Sequence, residues 1–212
     1  MIHLEGKNLT KGFGYRKIFE GINFKLAEGE SLVVVGKNGS GKTTLLKILC
    51  GLIRPTEGEV VVLLNDILVK EKQRKNLLGY VAPDLYLYDE LTALENLEFL
   101  VKARGLQFVR SDLNRRLDEV GLSGRGEDLV LSFSSGMKQR LKYAFALLKE
   151  PEVLLLDEPG SNLDEQGFLL LGEIIKKQKE NGILILATND RREIKYGSKI
   201  LNLDEPGAGG LS

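Results

Sequence analysis

The chain has 212 residues, 42% of them hydrophobic, which suits one large domain with a sizeable core or two small ones. Lys plus Arg and Asp plus Glu both count 30, so the net charge is zero and nothing in the balance asks for a nucleic-acid partner. The single cysteine, Cys50, excludes an intramolecular disulfide, and with His3 as the only histidine a Cys/His zinc cluster is out of reach, which fits a reducing compartment.

The opening "MIHLEGKNLT" has no apolar signal core, and no apolar run approaches the roughly 18 residues of a membrane span. A soluble protein is expected, one that works at a membrane only through a partner. A buried strand is expected over 32–35, followed by a glycine loop and a helix through Leu45, Leu46, Ile48 and Leu49. Further strands are expected over 60–64 and 77–81. The basic cluster at 70–75 reads as a solvated face, and so does Arg191-Arg192. Helical periodicity runs from about 93 to 120 through Leu94, Leu97, Leu100 and Val101, then Leu113, Leu117 and Val120. A polar loop follows over 121–135, then a helix with Leu141, Ala144, Phe145 and Leu148 on one face. A strand over 153–156, a helix over 165–180 ended by Asn181-Gly182, and strands over 183–187 and 199–203 complete the pattern. The tail "DEPGAGGLS" over 204–212 is expected to be disordered. Apolar strands alternating with helices imply a mostly parallel sheet covered on both faces, interrupted by a helical insertion from about 90 to 135.

Two motifs carry chemistry. "GKNGSGKTT" (Gly36, Lys37, Asn38, Gly39, Ser40, Gly41, Lys42, Thr43 and Thr44) fits the G-x-x-x-x-G-K-[ST] phosphate loop, after a strand and before a helix. Backbone N–H groups and the helix N-terminus surround the phosphates, Lys42 reaches the β- and γ-phosphates, and Thr43 offers a hydroxyl to Mg²⁺. "VLLLDEP" ends a strand in two acids. If that strand runs beside the phosphate-loop strand, Asp157 enters the Mg²⁺ shell and Glu158 can polarise an attacking water. Adjacent acids suit a hydrolase better than a kinase.

A Ser-x-Gly loop in "FSSGMKQR" opens another helix, a second anion-binding end suited to a phosphate held by another subunit. The order phosphate loop, helical insertion, "FSSGMKQR", "LLLDEP", "GSNLD" resembles the ATP-binding subunit of an ABC transporter, over nearly the whole chain. The resemblance implies an α/β P-loop NTPase of the ABC ATPase type, with an N-terminal antiparallel β subdomain and a mostly parallel core sheet flanked by helices. It implies a single domain over 1–212, with 1–83 and 150–203 as catalytic core and 84–149 as an inserted helical lobe. ATP and Mg²⁺ are the implied cofactors. Ser134, Gly136 and Met137 would contact ATP held by a second copy, or by a second ABC ATPase, in a head-to-tail dimer. Phe13, before Tyr15, is the implied adenine-stacking aromatic. A membrane-spanning permease would dock between the lobes, with Tyr86, Leu87 and Tyr88 as candidate contacts, and would hold the chain peripherally on the inner face of the cell membrane. The subgroup most resembled is that of heme and related export ATPases. A soluble ABC ATPase outside transport, or a regulatory module that binds ATP with little hydrolysis, is the alternative.

Two positions depart from the pattern. Pro83 stands where the family has a Gln that touches Mg²⁺ and water, and proline offers no side-chain donor or acceptor. Either Asp84 supplies the missing oxygen to Mg²⁺ or it only begins a turn. In "ILILATND", Asn189 stands where the family has a His on the γ-phosphate. Asn keeps an N–H donor and a carbonyl acceptor but cannot become charged, so Asn189 is a catalytic candidate of reduced reach.

Overall fold

In the computed structural model, which describes residues 1–204, β1 (Ile2–Phe13) and β2 (Arg16–Ala27) form a long antiparallel hairpin. The other edge of β1 pairs with β4 (Glu57–Leu64), which turns back into the two-residue β5 (Ile67–Leu68). The second sheet contains β3 (Ser31–Val35), β6 (Leu78–Val81), β7 (Val153–Asp157), β8 (Ile183–Thr188) and β9 (Lys199–Asn202). Its strands are parallel, in the order β6-β7-β8-β3-β9. The inner strands β3, β7 and β8 read as apolar runs because both faces are buried. Along β3 and β7 successive side chains serve two cores. Val33, Leu154 and Leu156 face one side, where they meet α5 (Ser135–Ala146) and α6 (Glu165–Asn181). Leu32, Val34, Val153 and Leu155 face the other, where they meet α1 (Lys42–Leu49) and the antiparallel sheet through Leu4, Phe24 and Val62.

The periodic stretch from 93 to 120 is two helices, α3 (Ala93–Ala103) and α4 (Arg110–Glu119). They part at Gly105, whose φ of +67° ends the first. Thr92 caps α3 through a reciprocal pair with Glu95, at 3.2 and 2.8 Å. The buried Asn96 then ties the preceding loop to the helix, accepting from Tyr88 N at 2.8 Å and donating to Tyr88 O at 2.9 Å. Two short helices, α2 (Glu71–Arg74) and α7 (Arg191–Ile194), complete the described chain. Asp204, the first residue of the expected disordered tail, is placed in a turn and accepts from Lys37 N at 3.1 and 3.0 Å. The rest of that tail, 205–212, lies outside the described residues. Among the described residues no helix is long and apolar enough to cross a membrane.

Candidate functional site

The loop between β3 and α1 lies at the C-terminal end of the parallel sheet, where open α/β folds take ligands. Gly41 opens α1 at a φ of +106°, and a Cβ there would come within 2.4 Å of the Ile18 side chain. Lys42 is only 6% exposed, so its charge needs partners. Its ammonium donates to Gly36 O at 2.8 Å and to Asn189 Oδ1 at 2.7 Å, and faces Glu158 Oε1 at 3.5 Å. The Asn189 amide nitrogen donates to Asn38 Oδ1, and Asn189 N donates to Glu158 Oε2 at 3.3 Å. Three loops, after β3, β7 and β8, thus converge on one ammonium. Beside them lies a cleft of ≈ 460 Å³, lined by Asn38, Gly39, Gly41, Lys42, Thr43, Thr44 and Glu158, with Arg16 and Ile18 reaching in from β2.

The strand carrying Asp157 does not run beside the phosphate-loop strand, as its motif had suggested. β8 lies between them, paired with both. Asp157 still reaches the site, because α1 packs against β7 and its first turn sets Thr43 beside the Asp157 carboxylate. Tyr80 donates to Asp157 Oδ2 at 3.4 Å, and Oδ1 is buried with no partner among the described residues. Burial pushes the Asp157 carboxyl up, against the Thr43 hydroxyl that holds it down. A 1%-exposed carboxylate with an unsatisfied oxygen beside a threonine hydroxyl fits a divalent cation such as Mg²⁺. Glu158 follows in the left-handed region at φ +48°, its N–H donating to Ala187 O at 2.8 Å.

The other candidates lie elsewhere. Phe13 is 54% exposed at the β1–β2 turn, with the Lys11 ammonium 4.8 Å over its ring, and is not among the residues lining the cleft. Asp84 pairs with Lys47 at 2.7 Å and lines a separate groove of ≈ 430 Å³ with Leu52, Tyr80, Leu85, Arg104 and Phe145. The carbonyl of Pro83 accepts from Lys142 at 2.7 Å. Ser134 caps α5, accepting from Met137 N at 3.2 Å, and a Cβ on Gly136 would meet Asn162 O at 3.0 Å. Ser134, Gly136 and Met137 do not line the cleft. Arg16, Ile18, Tyr80 and Asp204 were not marked by sequence. Arg16 and Ile18 come from the other sheet, and only a polar-tipped aromatic near the end of a buried strand could have flagged Tyr80.

The sequence profile of the ABC transporter family matches residues 19–161. The chain is 34% identical over 194 residues to the linearmycin resistance ATP-binding protein LnrL of Bacillus subtilis, covering 90% of this chain and 62% of that protein's length. It is 32% identical over 214 residues to the putative hemin import ATP-binding protein HrtA of Staphylococcus haemolyticus, covering 95% of this chain and 97% of that one. Among solved structures, the dimeric post-hydrolysis state of the ATP-binding cassette MJ0796 bound to ADP and Pi superposes with a TM-score of 0.80 at 26% identity, covering 94% of this chain and 93% of that chain. With its phosphate loop, buried lysine and paired acids set at the end of a parallel sheet, the chain belongs to the ABC transporter family, as an ATP-binding and ATP-hydrolysing subunit.

Proposed function

We propose that the cleft at 36–44 holds the triphosphate of ATP and that Glu158 polarises the attacking water. Backbone N–H groups of the loop and the N-terminus of α1 would take the phosphate oxygens, and Lys42 and Asn189 the γ-phosphate. Thr43 and Asp157 would hold Mg²⁺, which supplies charge neutralisation at the phosphates. Ser134, Gly136 and Met137 would close on ATP held by a second subunit. Their absence from the lining of this chain's own cleft, together with the dimeric state of MJ0796, supports that reading. The 84–149 helical lobe and the core would bracket the ≈ 430 Å³ groove, which would take a helix of a membrane-spanning permease and so hold the chain at the inner face of the cell membrane. We assign it to the export type on the likeness to LnrL, named for linearmycin resistance, although HrtA is named for hemin import; the cargo would be chosen by the permease.

The observation that carries this reading is the meeting of Lys42, Glu158 and Asn189. Glu158→Gln tests it. Removing a general base lowers turnover by about a hundredfold or more, and the variant should accumulate as an ATP-bound dimer in light scattering. Wild-type turnover in the variant would overturn the assignment.

A further inference from the structure

The turn that follows Glu158 is held in an unusual way. Pro159 O and Gly160 N belong to one peptide unit, and each end of it is bonded to a side chain from a different helix. Tyr143, on α5 and 1% exposed, donates its hydroxyl to Pro159 O, and Gln139 Nε2 donates to the same oxygen at 3.3 Å. Glu193, on α7 and also 1% exposed, accepts from Gly160 N at 2.8 Å through Oε1. The approach is close enough that a Cβ on Gly160 would lie 2.2 Å from that oxygen. A buried carboxylate is costly, and this one has a second oxygen with no partner among the described residues. Immediately before this peptide unit, Glu158 sits at φ +48°, a conformation a non-glycine residue holds only when its surroundings impose it.

We propose that Tyr143 and Glu193 are positioning residues for ATP hydrolysis: they grip opposite ends of the Pro159–Gly160 peptide and thereby fix the Glu158 carboxylate. The two grips come from functionally distinct places. Tyr143 lies on the helix that Ser134 caps, and Glu193 lies just after Asn189. The peptide therefore links the helix that would face the second subunit to the loop on Lys42. The inference rests on Glu158 as the residue that polarises water, and it assigns no chemistry to Tyr143 or Glu193 themselves.

Steady-state ATPase kinetics, with Glu158→Gln run in parallel, test it. Tyr143→Phe keeps the buried ring and removes one bond to the peptide. It should lower kcat about tenfold, the scale of one hydrogen bond expressed in rate, with KM for ATP within about twofold because the cleft is untouched. Glu193→Ala should behave likewise, and Glu193→Gln, whose amide oxygen can still accept from Gly160 N, should recover most of the loss. Because both side chains act on one peptide, the double variant Tyr143→Phe/Glu193→Ala should lose less than the product of the single losses. Unchanged kcat in Tyr143→Phe, equal damage from Glu193→Gln and Glu193→Ala, or KM rising in step with falling kcat would each overturn the proposal. If Glu193→Ala does not fold, Tyr143→Phe and Glu193→Gln decide alone. A Glu158→Gln variant that still turns over would instead remove the role of Glu158 on which the proposal stands.

Discussion

The Asn189 amide is bonded at both ends within the chain, its oxygen to Lys42 and its nitrogen to Asn38. An uncharged side chain in that place can serve the γ-phosphate with one hydrogen bond but cannot share a proton with it. A hydrogen bond to a charged group contributes about 1.5–3 kcal/mol, so Asn189→Ala should lower kcat by about ten- to a hundredfold and by less than Glu158→Gln. Equal losses in stopped-time ATPase assays would mean that the two residues have been ranked wrongly. Asp84 makes the opposite case. Its carboxyl is held below the ordinary range by the Lys47 ammonium, and its bond is made at the groove. Asp84→Ala should therefore leave the Mg²⁺ dependence of ATP binding unchanged; a right-shifted Mg²⁺ titration would restore the alternative in which Asp84 serves the ion. Motif spacing pointed to Lys42, Thr43, Asp157 and Glu158 as neighbours, and the fold brings them together because backbone geometry fixes them. It could not show where a side chain as free as that of Asp84 would find its partner.

At the scale of elements, what could be read depended on burial. Every strand of the parallel sheet was placed within one residue at each end; the inner strands β3, β7 and β8 read as apolar runs because both faces are covered, whereas the edge strand β9 keeps Lys199 and Asn202 part-exposed. The long β1 and β2 were not legible one by one. Between Gly6 and Leu9 the register shifts, Asn8 adopts φ +49°, and Leu9 and Thr10 are then buried in succession, so the period of two is lost. The order of β7 and β8 was also hidden, since neighbouring parallel strands carry no mark of which neighbour they choose. Burial on both faces makes β7, like β3 and β8, an element on which both cores depend. Leu155 is 0% exposed and faces the core shared by α1 and the antiparallel sheet. Leu155→Ala should destabilise the chain by about 2–5 kcal/mol in urea unfolding. A loss well under 1 kcal/mol would show that this core closes over the gap.

Across the whole molecule, the helices near the groove are built so that one face of the 84–90 loop is inside and the other is outside. Leu87 is buried in the core, whereas Tyr86 is 69% exposed and touches Tyr88 edge-on at 5.4 Å. Tyr88 in turn meets Phe99 on α3 at 5.0 Å, which makes a short aromatic ridge between the 84–90 loop and that helix. The loop beneath this ridge is fastened by the double hydrogen bond from Asn96, so the ridge is presented on a rigid support. Sequence left Tyr86, Leu87 and Tyr88 as equal candidates for a partner's helix, because consecutive apolar residues in a loop show no face until the fold turns one of them in. Their burial now separates them. Removing an exposed aromatic opens no cavity, so the proposed permease contact can be tested at Tyr86 without touching the core. Tyr86→Arg should leave the melting temperature and the ATPase rate of the isolated chain unchanged. It should lower permease-stimulated ATPase in reconstituted vesicles by about tenfold or more, on the scale of an interface hot spot. The same substitution at Leu87 should instead lower the melting temperature, since it would bury a charge without a partner. If Tyr86→Arg unfolds the chain, or if stimulation by the permease survives it, the aromatic ridge belongs to the lobe's own packing and the partner's helix sits deeper, against Leu52 and Leu85.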